Sequence, residues 1–282
     1  MRLLHPLFLA VGLAVIAPAQ TVGPAARPGS MVFKFEDLPA KPTGNGERRD
    51  VTDAPTATLE KFESHITTLL AGRMSHPPHQ HGQEELIILR DGTLDVTING
   101  ATTRAGPGSL LFFAANDFHN VQNVGGTPAT YFVFNFATAA SKTVPKAGAA
   151  ALAVPGKLGS TVFAWEKLVV TPTKVGERRA VVDSATTTLA NFECHVTTVK
   201  PGEMPHAAHR HPDEEIILVK EGTLDVTING TTTRADAGSI FFYGSNDEHG
   251  MRNVGGTPAT YYVIRVATDI TPKPARAARA KG

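Results

Sequence analysis

Cysteine is almost missing from this chain of 282 residues, which contains only Cys194. One cysteine cannot form a disulfide within the chain, so the fold must be stabilised by packing, with bound metal as a further source of stability. Cys194 lies in the strand-like segment NFECHVTTV. This setting favours a buried, unreactive thiol over a catalytic nucleophile.

The sequence also lacks an excess of charge of either sign, because 27 lysine and arginine residues face 26 aspartate and glutamate residues. Proteins that bind nucleic acid usually carry a basic excess, so nucleic acid is not an expected partner. Hydrophobic residues make up 41% of the chain, which is typical of a folded protein with one or two domains. Residues 269–282 carry basic residues separated by proline and alanine, and we expect a solvated basic tail there.

Long hydrophobic runs are absent except at the N-terminus. Residues 1–19 combine the early positive charge of Arg2, a short run of Leu, Val, Ala and Ile, and the small residues Ala17-Pro18-Ala19. This pattern predicts a secretory signal peptide that is cleaved after Ala19, and hence a secreted or periplasmic protein. The run of about a dozen apolar residues is short for a bilayer, which needs roughly 20, although an uncleaved anchor is the alternative. After cleavage we expect no stable membrane span.

An internal repeat organises the rest of the chain. Shifting the sequence by 130 positions aligns its two halves without a gap, and GERR, GTLDVTING and NVGGTPATY each occur twice at this spacing. All histidines except His5 form pairs at the same offset. The repeats predict two tandem domains, at residues 31–140 and 161–268, each of a common domain size. Residues 141–160 are small and punctuated by proline and glycine, as expected of a linker.

Each repeat has the pattern of an all-β domain. In GTLDVTING, the apolar residues Leu94, Val96 and Ile98 alternate with polar residues, which is the period of a half-buried strand. Asn99-Gly100 then predicts a type I′ hairpin turn, because both central positions need positive φ. Neither repeat contains a long helical pattern. Many short strands separated by glycine and proline turns indicate a small barrel or a jelly-roll sandwich.

A His-x-His-x-x-x-Glu phrase occurs once in each repeat. In the first repeat, His79, His81 and Glu85 have the same parity, so their side chains lie on one face of an extended strand. The second repeat has the same spacing, and each repeat has one further paired histidine downstream. These residues are His209, His211 and Glu215, followed by His119 and His249 as the downstream pair. Three neutral imidazoles and one carboxylate form a mixed site that leaves positions open for small ligands, as in catalytic metal sites.

Both repeats resemble the cupin family, and together they resemble the two-domain bicupins. The first cupin motif, G-x5-6-H-x-H-x3-4-E-x6-G, matches Gly72–Gly92 and Gly202–Gly222. The second motif, G-x5-P-x-G-x2-H-x3-N, matches Gly108–Asn123 and Gly238–Asn253, with Ala or Gly in place of proline and Asn in place of the middle glycine. The resemblance implies an all-β fold of two tandem cupin β-barrels of the double-stranded jelly-roll type.

The resemblance further implies the ligands and the class of activity. Each barrel is expected to hold one divalent metal, with Mn or Fe favoured and Ni, Zn or Cu as alternatives. The implied ligands are His79, His81, Glu85 and His119 in the first barrel, and His209, His211, Glu215 and His249 in the second.

Bicupins of this kind include oxalate decarboxylases, quercetin dioxygenases and ureidoglycine aminohydrolases. We therefore expect a metal-dependent enzyme that acts on a small polar or carboxylate substrate, with an oxidoreductase or decarboxylase favoured over an isomerase. A non-catalytic binding bicupin and a sugar-acid isomerase or lyase are the alternatives, and assembly into a homo-oligomer stays open. Metal identity, oxygen consumption and turnover would distinguish these functions.

Other paired residues are candidates for contacts near the site. Glu84 has the opposite parity from the ligands, which favours an outward-facing structural role. His76 is expected either to support the ligands or to lie at the barrel rim. His65 fits a core or interface histidine as well as a catalytic one. Arg48-Arg49 favours an inter-domain salt bridge over a clamp for a carboxylate. The counterparts are Glu214, His206, His195 and Arg178-Arg179.

The repeats also differ close to the motifs. The differences are Phe118 against Glu248, Gln122 against Arg252, and Asn135 against Arg265. Glu248 is a candidate acid or base beside His249, although alternation along the strand directs it away from the metal. We expect the second site to have the more polar surroundings.

Overall fold

The computed structural model describes residues 29–146 and 154–273. The predicted signal peptide at 1–19 and residues 274–282 of the predicted tail lie outside these ranges. Within them, the chain forms β-strands joined by turns and by short 3-10 helices at Phe35–Asp37, Ala140–Lys142 and Trp165–Lys167. The all-β prediction is therefore confirmed. None of the helices in this part of the chain is long and apolar enough to cross a membrane.

Each repeat contributes ten of the strands in the described ranges. The first repeat forms β1 (Met31–Phe33), β2 (Lys41–Thr43), β3 (Gly46–Ala54), β4 (Lys61–Leu69), β5 (Glu84–Asp91), β6 (Leu94–Ile98), β7 (Ala101–Ala105), β8 (Leu110–Phe113), β9 (His119–Asn123) and β10 (Ala129–Ala137). The second repeat forms β11 (Thr161–Phe163), β12 (Val170–Pro172), β13 (Gly176–Ser184), β14 (Asn191–Val199), β15 (Glu214–Glu221), β16 (Thr223–Ile228), β17 (Thr231–Asp236), β18 (Ile240–Tyr243), β19 (His249–Asn253) and β20 (Ala259–Ala267).

Each barrel consists of a seven-stranded and a three-stranded antiparallel sheet. The strand orders are β11-β8-β5-β10-β4-β3-β2 with β7-β6-β9 in the first barrel, and β1-β18-β15-β20-β14-β13-β12 with β17-β16-β19 in the second. The hairpin between β6 and β7 turns at Asn99-Gly100, where φ is 48° and 86°. These positive values agree with the type I′ turn predicted from the Asn-Gly pair.

The first strand of each repeat belongs to the sheet of the other barrel. β1 pairs with β18, and β11 pairs with β8. The residue just before each exchanged strand is a serine that bonds to an aspartate of the other repeat. Ser30 Oγ donates to Asp247 at 2.6 Å, and Ser160 Oγ donates to Asp117 at 2.5 Å. Because of this exchange, the seven-stranded sheet of each barrel includes a strand from the other repeat.

The continuous apolar run of β5 is explained by burial on both faces of the strand. Leu86 and Ile88 point into a core that the two barrels share. Ile87 and Leu89 point instead into the interior of the first barrel. The residues of β5 therefore alternate between the shared core and the cavity side, and the side chain of Glu85 is on the cavity side.

Aromatic side chains from both repeats fill the shared core. The rings of Phe62 and Phe242 stack with centroids 5.5 Å apart, and those of Phe112 and Phe192 lie 5.0 Å apart. Cys194 belongs to the same core, where burial raises the pKa of its thiol well above the usual value. The prediction of a buried, unreactive cysteine is confirmed.

Glu84 and Glu214 are fully buried between the barrels. Glu84 accepts hydrogen bonds from the hydroxyl and backbone N–H groups of Thr186–Thr188 in the second repeat. Glu214 accepts equivalent bonds of 2.7 to 3.2 Å from Thr56 and Thr58 in the first repeat. Their parity thus directs both carboxylates into the interface between the barrels, and their predicted structural role is confirmed.

Candidate metal centres

The histidines of the first repeat meet where a loop pairs with β9. His79 and His119 exchange two backbone hydrogen bonds of 3.1 and 2.9 Å, which sets their side chains next to each other. His81 follows two residues after His79, so its side chain has the same direction. The backbone N–H of Asn116 donates to His81 O at 2.7 Å. Asn116 has a φ of 62°, which asparagine tolerates, and this explains why it can replace the glycine of the motif.

The side chains of the first repeat converge on one point. One ligating atom from each of His79, His81 and His119 lies within 4.8 Å of the other two. Glu85 Oε2 lies 3.2 Å from His81 Nε2. The structure therefore brings the three expected histidines together as nitrogen donors, and it places the carboxylate of Glu85 beside His81.

The second repeat reproduces this arrangement. The ligating atoms of His209, His211 and His249 also lie within 4.8 Å of one another. Glu215 Oε2 lies 3.2 Å from His211 Nε2, and its Oε1 lies 4.0 Å from His249 Nε2. The described part of the protein thus contains two candidate metal sites, one in each barrel.

Backbone carbonyls orient the imidazole rings. Nδ1 of His81 donates to Gln83 O and Nδ1 of His119 donates to Asp117 O, both at 2.9 Å. The same bonds join His211 to Asp213 and His249 to Asp247. A ring with its proton on Nδ1 presents the lone pair of Nε2 to the site. Among the described residues, the buried Nε2 atoms of His119 and His249 have no hydrogen-bond partner, as expected of atoms that bind a metal.

The electrostatic environment also suits a divalent cation. Burial lowers the pKa of His119 to about 4, so this imidazole is neutral at pH 7 and keeps its lone pair. Burial opposes ionisation of Glu85, but the hydrogen bond with His81 and the nearby His119 outweigh it and lower its pKa. Burial opposes protonation of His81, but its hydrogen bond with Glu85 outweighs burial and raises the pKa of His81. The site therefore offers the neutral His119 and one ionised carboxylate, and a bound metal would displace the proton that His81 shares with Glu85.

A cavity of about 220 Å³ opens beside the first site. Glu85 and His119 form part of its wall. Ile87, Phe113, Val121 and Val133 make one side apolar, while Arg48, His65, Thr67 and Tyr131 supply polar groups. Sites for drug-sized ligands measure about 300 to 1,000 Å³. The cavity is therefore suited to a small molecule with both polar and apolar contacts.

The comparison with protein families agrees with this geometry. The family described as Cupin domain (Cupin_2) matches residues 65–135 and again residues 195–265, together half of the chain. The chain belongs to the cupin family. Because the match occurs once in each repeat, the protein is a two-domain bicupin.

Solved structures similar to this bicupin include oxalate decarboxylases. A mutant of the Bacillus subtilis enzyme is 17% identical, with a TM-score of 0.63 over 86% of this chain and 78% of that chain. The formate complex of Lactobacillus farciminis oxalate decarboxylase is 16% identical, with a TM-score of 0.62 over 84% of this chain and 86% of that chain. AerE from Microcystis aeruginosa is 15% identical, with a TM-score of 0.61 over 85% of this chain and 97% of that chain. No curated protein matches the sequence. At these identities, the likeness shows the fold.

A carboxylate and a histidine form a network at the mouth of the first cupin cavity. Glu63 Oε1 accepts hydrogen bonds from His65 Nδ1 at 2.7 Å and from Arg48 Nη2 at 2.8 Å, and its Oε2 accepts one from Asn135 at 2.7 Å. Burial opposes ionisation of Glu63, but its bonds with His65 and Asn135 lower its pKa overall. His65 is therefore held with Nδ1 towards Glu63, which leaves Nε2 for the cavity. His65 thus lies on the cavity wall with a carboxylate partner, and its role stays open between the two considered from the sequence.

The preference for an inter-domain salt bridge at Arg48 is wrong. Its ion pairs stay within the first repeat, with Asp50 of the same strand at 2.7 Å and with Glu63 of the neighbouring strand β4 at 2.8 Å. Arg49 instead lies over the ring of Phe35, 4.9 Å from the centroid. The pairing of β3 with β4 brings Glu63 within reach of Arg48, and that register cannot be read from the Arg-Arg pair alone.

The second cupin barrel has different residues beside its glutamate. Arg265 occupies the position of Asn135, and its Nη2 pairs with Asp213 at 2.5 Å while its Nε lies 3.9 Å from Glu215 Oε2. Tyr243 occupies the position of Phe113 and stacks on His249, with centroids 4.1 Å apart. Sequence reasoning considered Arg265 but missed Tyr243, although the aligned repeats contain the difference as LLFF against IFFY.

The remaining candidates lie at the surface of the cupin barrels. His76 is exposed at the rim, with its ring 4.0 Å from that of His79. Glu248 forms an exposed ion pair of 2.8 Å with Arg210. Arg252 donates to the backbone of Gly202 at 2.5 Å. Glu248 is thus engaged outside the site, in agreement with the alternation that directed it away from the metal.

Proposed function

We propose that each barrel binds one divalent metal and that the protein is an exported enzyme acting on a small carboxylate. In the first site the ligands would be His79, His81, Glu85 and His119. In the second they would be His209, His211, Glu215 and His249. The observation that carries this proposal is the pair of buried Nε2 atoms of His119 and His249, which lack a hydrogen-bond partner in the described chain and face the other donors.

Manganese is the metal that we favour, with iron as the alternative. Imidazole suits several transition metals, and the carboxylate ligand extends the range to Mn. One solved structure with the same fold, at 18% identity, is that of Bacillus subtilis oxalate decarboxylase, an enzyme with Mn(II) centres. When bound, the metal would supply Lewis acidity and a template that orients a carboxylate.

Decarboxylation of a small dicarboxylate is the reaction that we favour. Loss of CO₂ from a dicarboxylate monoanion leaves an electron pair on carbon. The proton of the remaining carboxyl group is removed and one proton is delivered to that carbon, which gives the shorter carboxylate. His65 is placed to exchange such a proton, because Glu63 holds its Nδ1 at 2.7 Å and its ring borders the cavity. The apolar residues Phe113, Val121 and Val133 would limit access of water to the reacting carbon.

Metal analysis followed by a substrate screen tests this proposal. The exported form is purified without added metal or chelator, and its metal is identified by elemental analysis and electron paramagnetic resonance (EPR). We expect about two Mn per chain, one for each ligand set. Oxalate and other small carboxylates are then assayed for CO₂ and the shorter acid, with and without oxygen. Oxygen-dependent products other than these would indicate a dioxygenase, whereas binding without turnover would indicate a non-catalytic bicupin.

Export is tested separately by fractionating cells that express the full chain. We expect the protein outside the cytoplasm with a mature N-terminus at Gln20, because residues 1–19 have the pattern of a cleaved signal peptide. Retention of residues 1–19 in a membrane fraction would support the anchor alternative.

A further inference from the structure

Two hydrogen-bond donors in the second barrel have no acceptor among the described residues. One is the hydroxyl of Tyr243, whose side chain is fully buried, and the other is Nε of Arg265. The hydroxyl is protonated at neutral pH because tyrosine ordinarily titrates near pH 10. Buried donors are nearly always paired in native proteins, so two unpaired donors beside one candidate metal site indicate a missing acceptor.

Both donors stand directly beside the glutamate of the metal site. In the strand register, Tyr243 on β18 and Arg265 on β20 are each paired with Glu215 on β15. Residues that are paired across antiparallel strands lie on the same face, with Cβ atoms about 5 Å apart. The donors therefore flank Glu215 on its two sides and face the interior of the barrel with it.

The first barrel lacks both donors at the same register. Glu85 is flanked there by Phe113, which has no polar atom, and by Asn135, whose amide already donates to Glu63 at 2.7 Å. The two sites thus share their ligand pattern and differ in what surrounds the glutamate. A ligand rich in acceptors would gain contacts at the second site that the first site cannot provide.

We propose that the second metal site binds a small carboxylate through Tyr243 and Arg265, more tightly than the first site does. The two oxygens of a carboxylate can each accept a bond from one donor, and arginine is well suited to carboxylates. Asp213 pairs with Nη2 of Arg265 at 2.5 Å, which holds the guanidinium in place, while Nε lies 3.9 Å from Glu215 Oε2 and makes no hydrogen bond. This inference rests on the proposed occupancy of both sites by metal.

Formate binding to Mn-loaded full-length chains tests the proposal. His119→Ala leaves the second site as the one complete ligand set, and His249→Ala leaves the first. Metal content is measured before each calorimetric titration with sodium formate. We expect formate to bind about tenfold more tightly to the chain that keeps the second site. In that chain, Tyr243→Phe and Arg265→Asn are each expected to weaken binding about threefold to tenfold without loss of metal.

A second arm uses the chain with both ligand sets intact and does not depend on the histidine variants. Phe113→Tyr combined with Asn135→Arg and Gln83→Asp gives the first site the counterparts of Tyr243, Arg265 and Asp213, and is expected to raise the number of tight formate sites from one to two. Without formate, Tyr243→Phe should not lower the melting temperature, because it removes a hydroxyl that has no partner. A purely structural role for Tyr243 would instead lower that temperature.

The outcomes separate this inference from the proposed function. A chain that binds no Mn overturns both. Two Mn per chain with equal formate affinity at both sites, or with affinity unchanged by Tyr243→Phe and Arg265→Asn, overturns the inference alone. The inference would also be overturned if chloride competed with formate and both substitutions weakened chloride binding as much as formate binding. The site would then select negative charge rather than a carboxylate.

Discussion

The two barrels carry the same candidate metal ligands in the same geometry, yet their surroundings differ. The distance between the second histidine and the glutamate is 3.2 Å in both sites. Beside the glutamate, however, Phe113 and Asn135 in the first barrel are replaced by Tyr243 and Arg265 in the second. The candidate ligands are therefore the same in both barrels, whereas the residues beside the glutamate have changed. A difference in function between the barrels is expected to come from those residues.

The largest expected effect is the loss of one metal from one barrel. His119→Ala and His249→Ala each remove a buried nitrogen donor, and each should lower the metal content from about two per chain to about one. Elemental analysis with Mn EPR measures this, and circular dichroism checks that the fold is retained. Loss of both metals from either variant would show that the sites depend on each other for occupancy.

The proton-exchange role of His65 predicts the next largest effect. His65→Gln keeps a polar group but cannot titrate, so turnover of the substrate found in the screen should fall about 100-fold with metal content unchanged. His195→Gln is the matched variant in the second barrel, where Glu193 Oε2 has no partner in the described structure. Equal losses in both variants would show that turnover does not depend on the first barrel more than on the second. An unaltered rate in His65→Gln would rule out proton exchange by His65.

The carboxylates between the barrels provide a test on stability. Glu84→Ala leaves donors of Thr186–Thr188 without an acceptor in a fully buried site, and should lower the free energy of unfolding by about 3 kcal/mol. Glu214→Ala should cost about the same, because its partners in the first repeat are equivalent. Chemical denaturation measures both. A much smaller loss for one variant would show that the barrels do not contribute equally to their interface.

The smallest expected effect concerns metal affinity in the absence of any carboxylate. Arg265 Nε lies 3.9 Å from Glu215, so its positive charge disfavours a second cation at that carboxylate. Arg265→Asn should raise the Mn affinity of the second site about threefold to tenfold, and Asn135→Arg should lower that of the first. Competition with a metal-sensitive dye measures both changes. An opposite sign in either variant would mean that the arginine orders the glutamate for binding.

Much of the fold was predictable because it depends on local patterns. The alternation in GTLDVTING and the Asn-Gly turn predicted strands and a hairpin, and the structure has β6, β7 and φ values of 48° and 86° there. The burial of Cys194 followed from its strand-like context. The spacing of His79, His81 and Glu85 indicated a shared face, since parity along an extended chain fixes the direction of a side chain.

The contacts between strands were not predictable in the same way. The exchange of β1 and β11 between the barrels has no local signal, because it depends on which sheet edge each strand meets. The pairing of Arg48 with Glu63 depends on the register of β3 and β4. The parity of Glu84 predicted that its side chain points away from the metal site. Only the packing of one barrel on the other places that side chain in a buried interface.

The sequence by itself determined the duplication, the all-β character and two complete sets of ligands, because periodicity and spacing act within a single stretch of chain. Tertiary structure decided which other side chains lie beside those ligands. Tyr243 and Arg265 lie 28 and 50 residues from Glu215 along the chain. They flank it because β18 and β20 pair with β15 on either side, and strand pairing is fixed by the packing of the whole barrel.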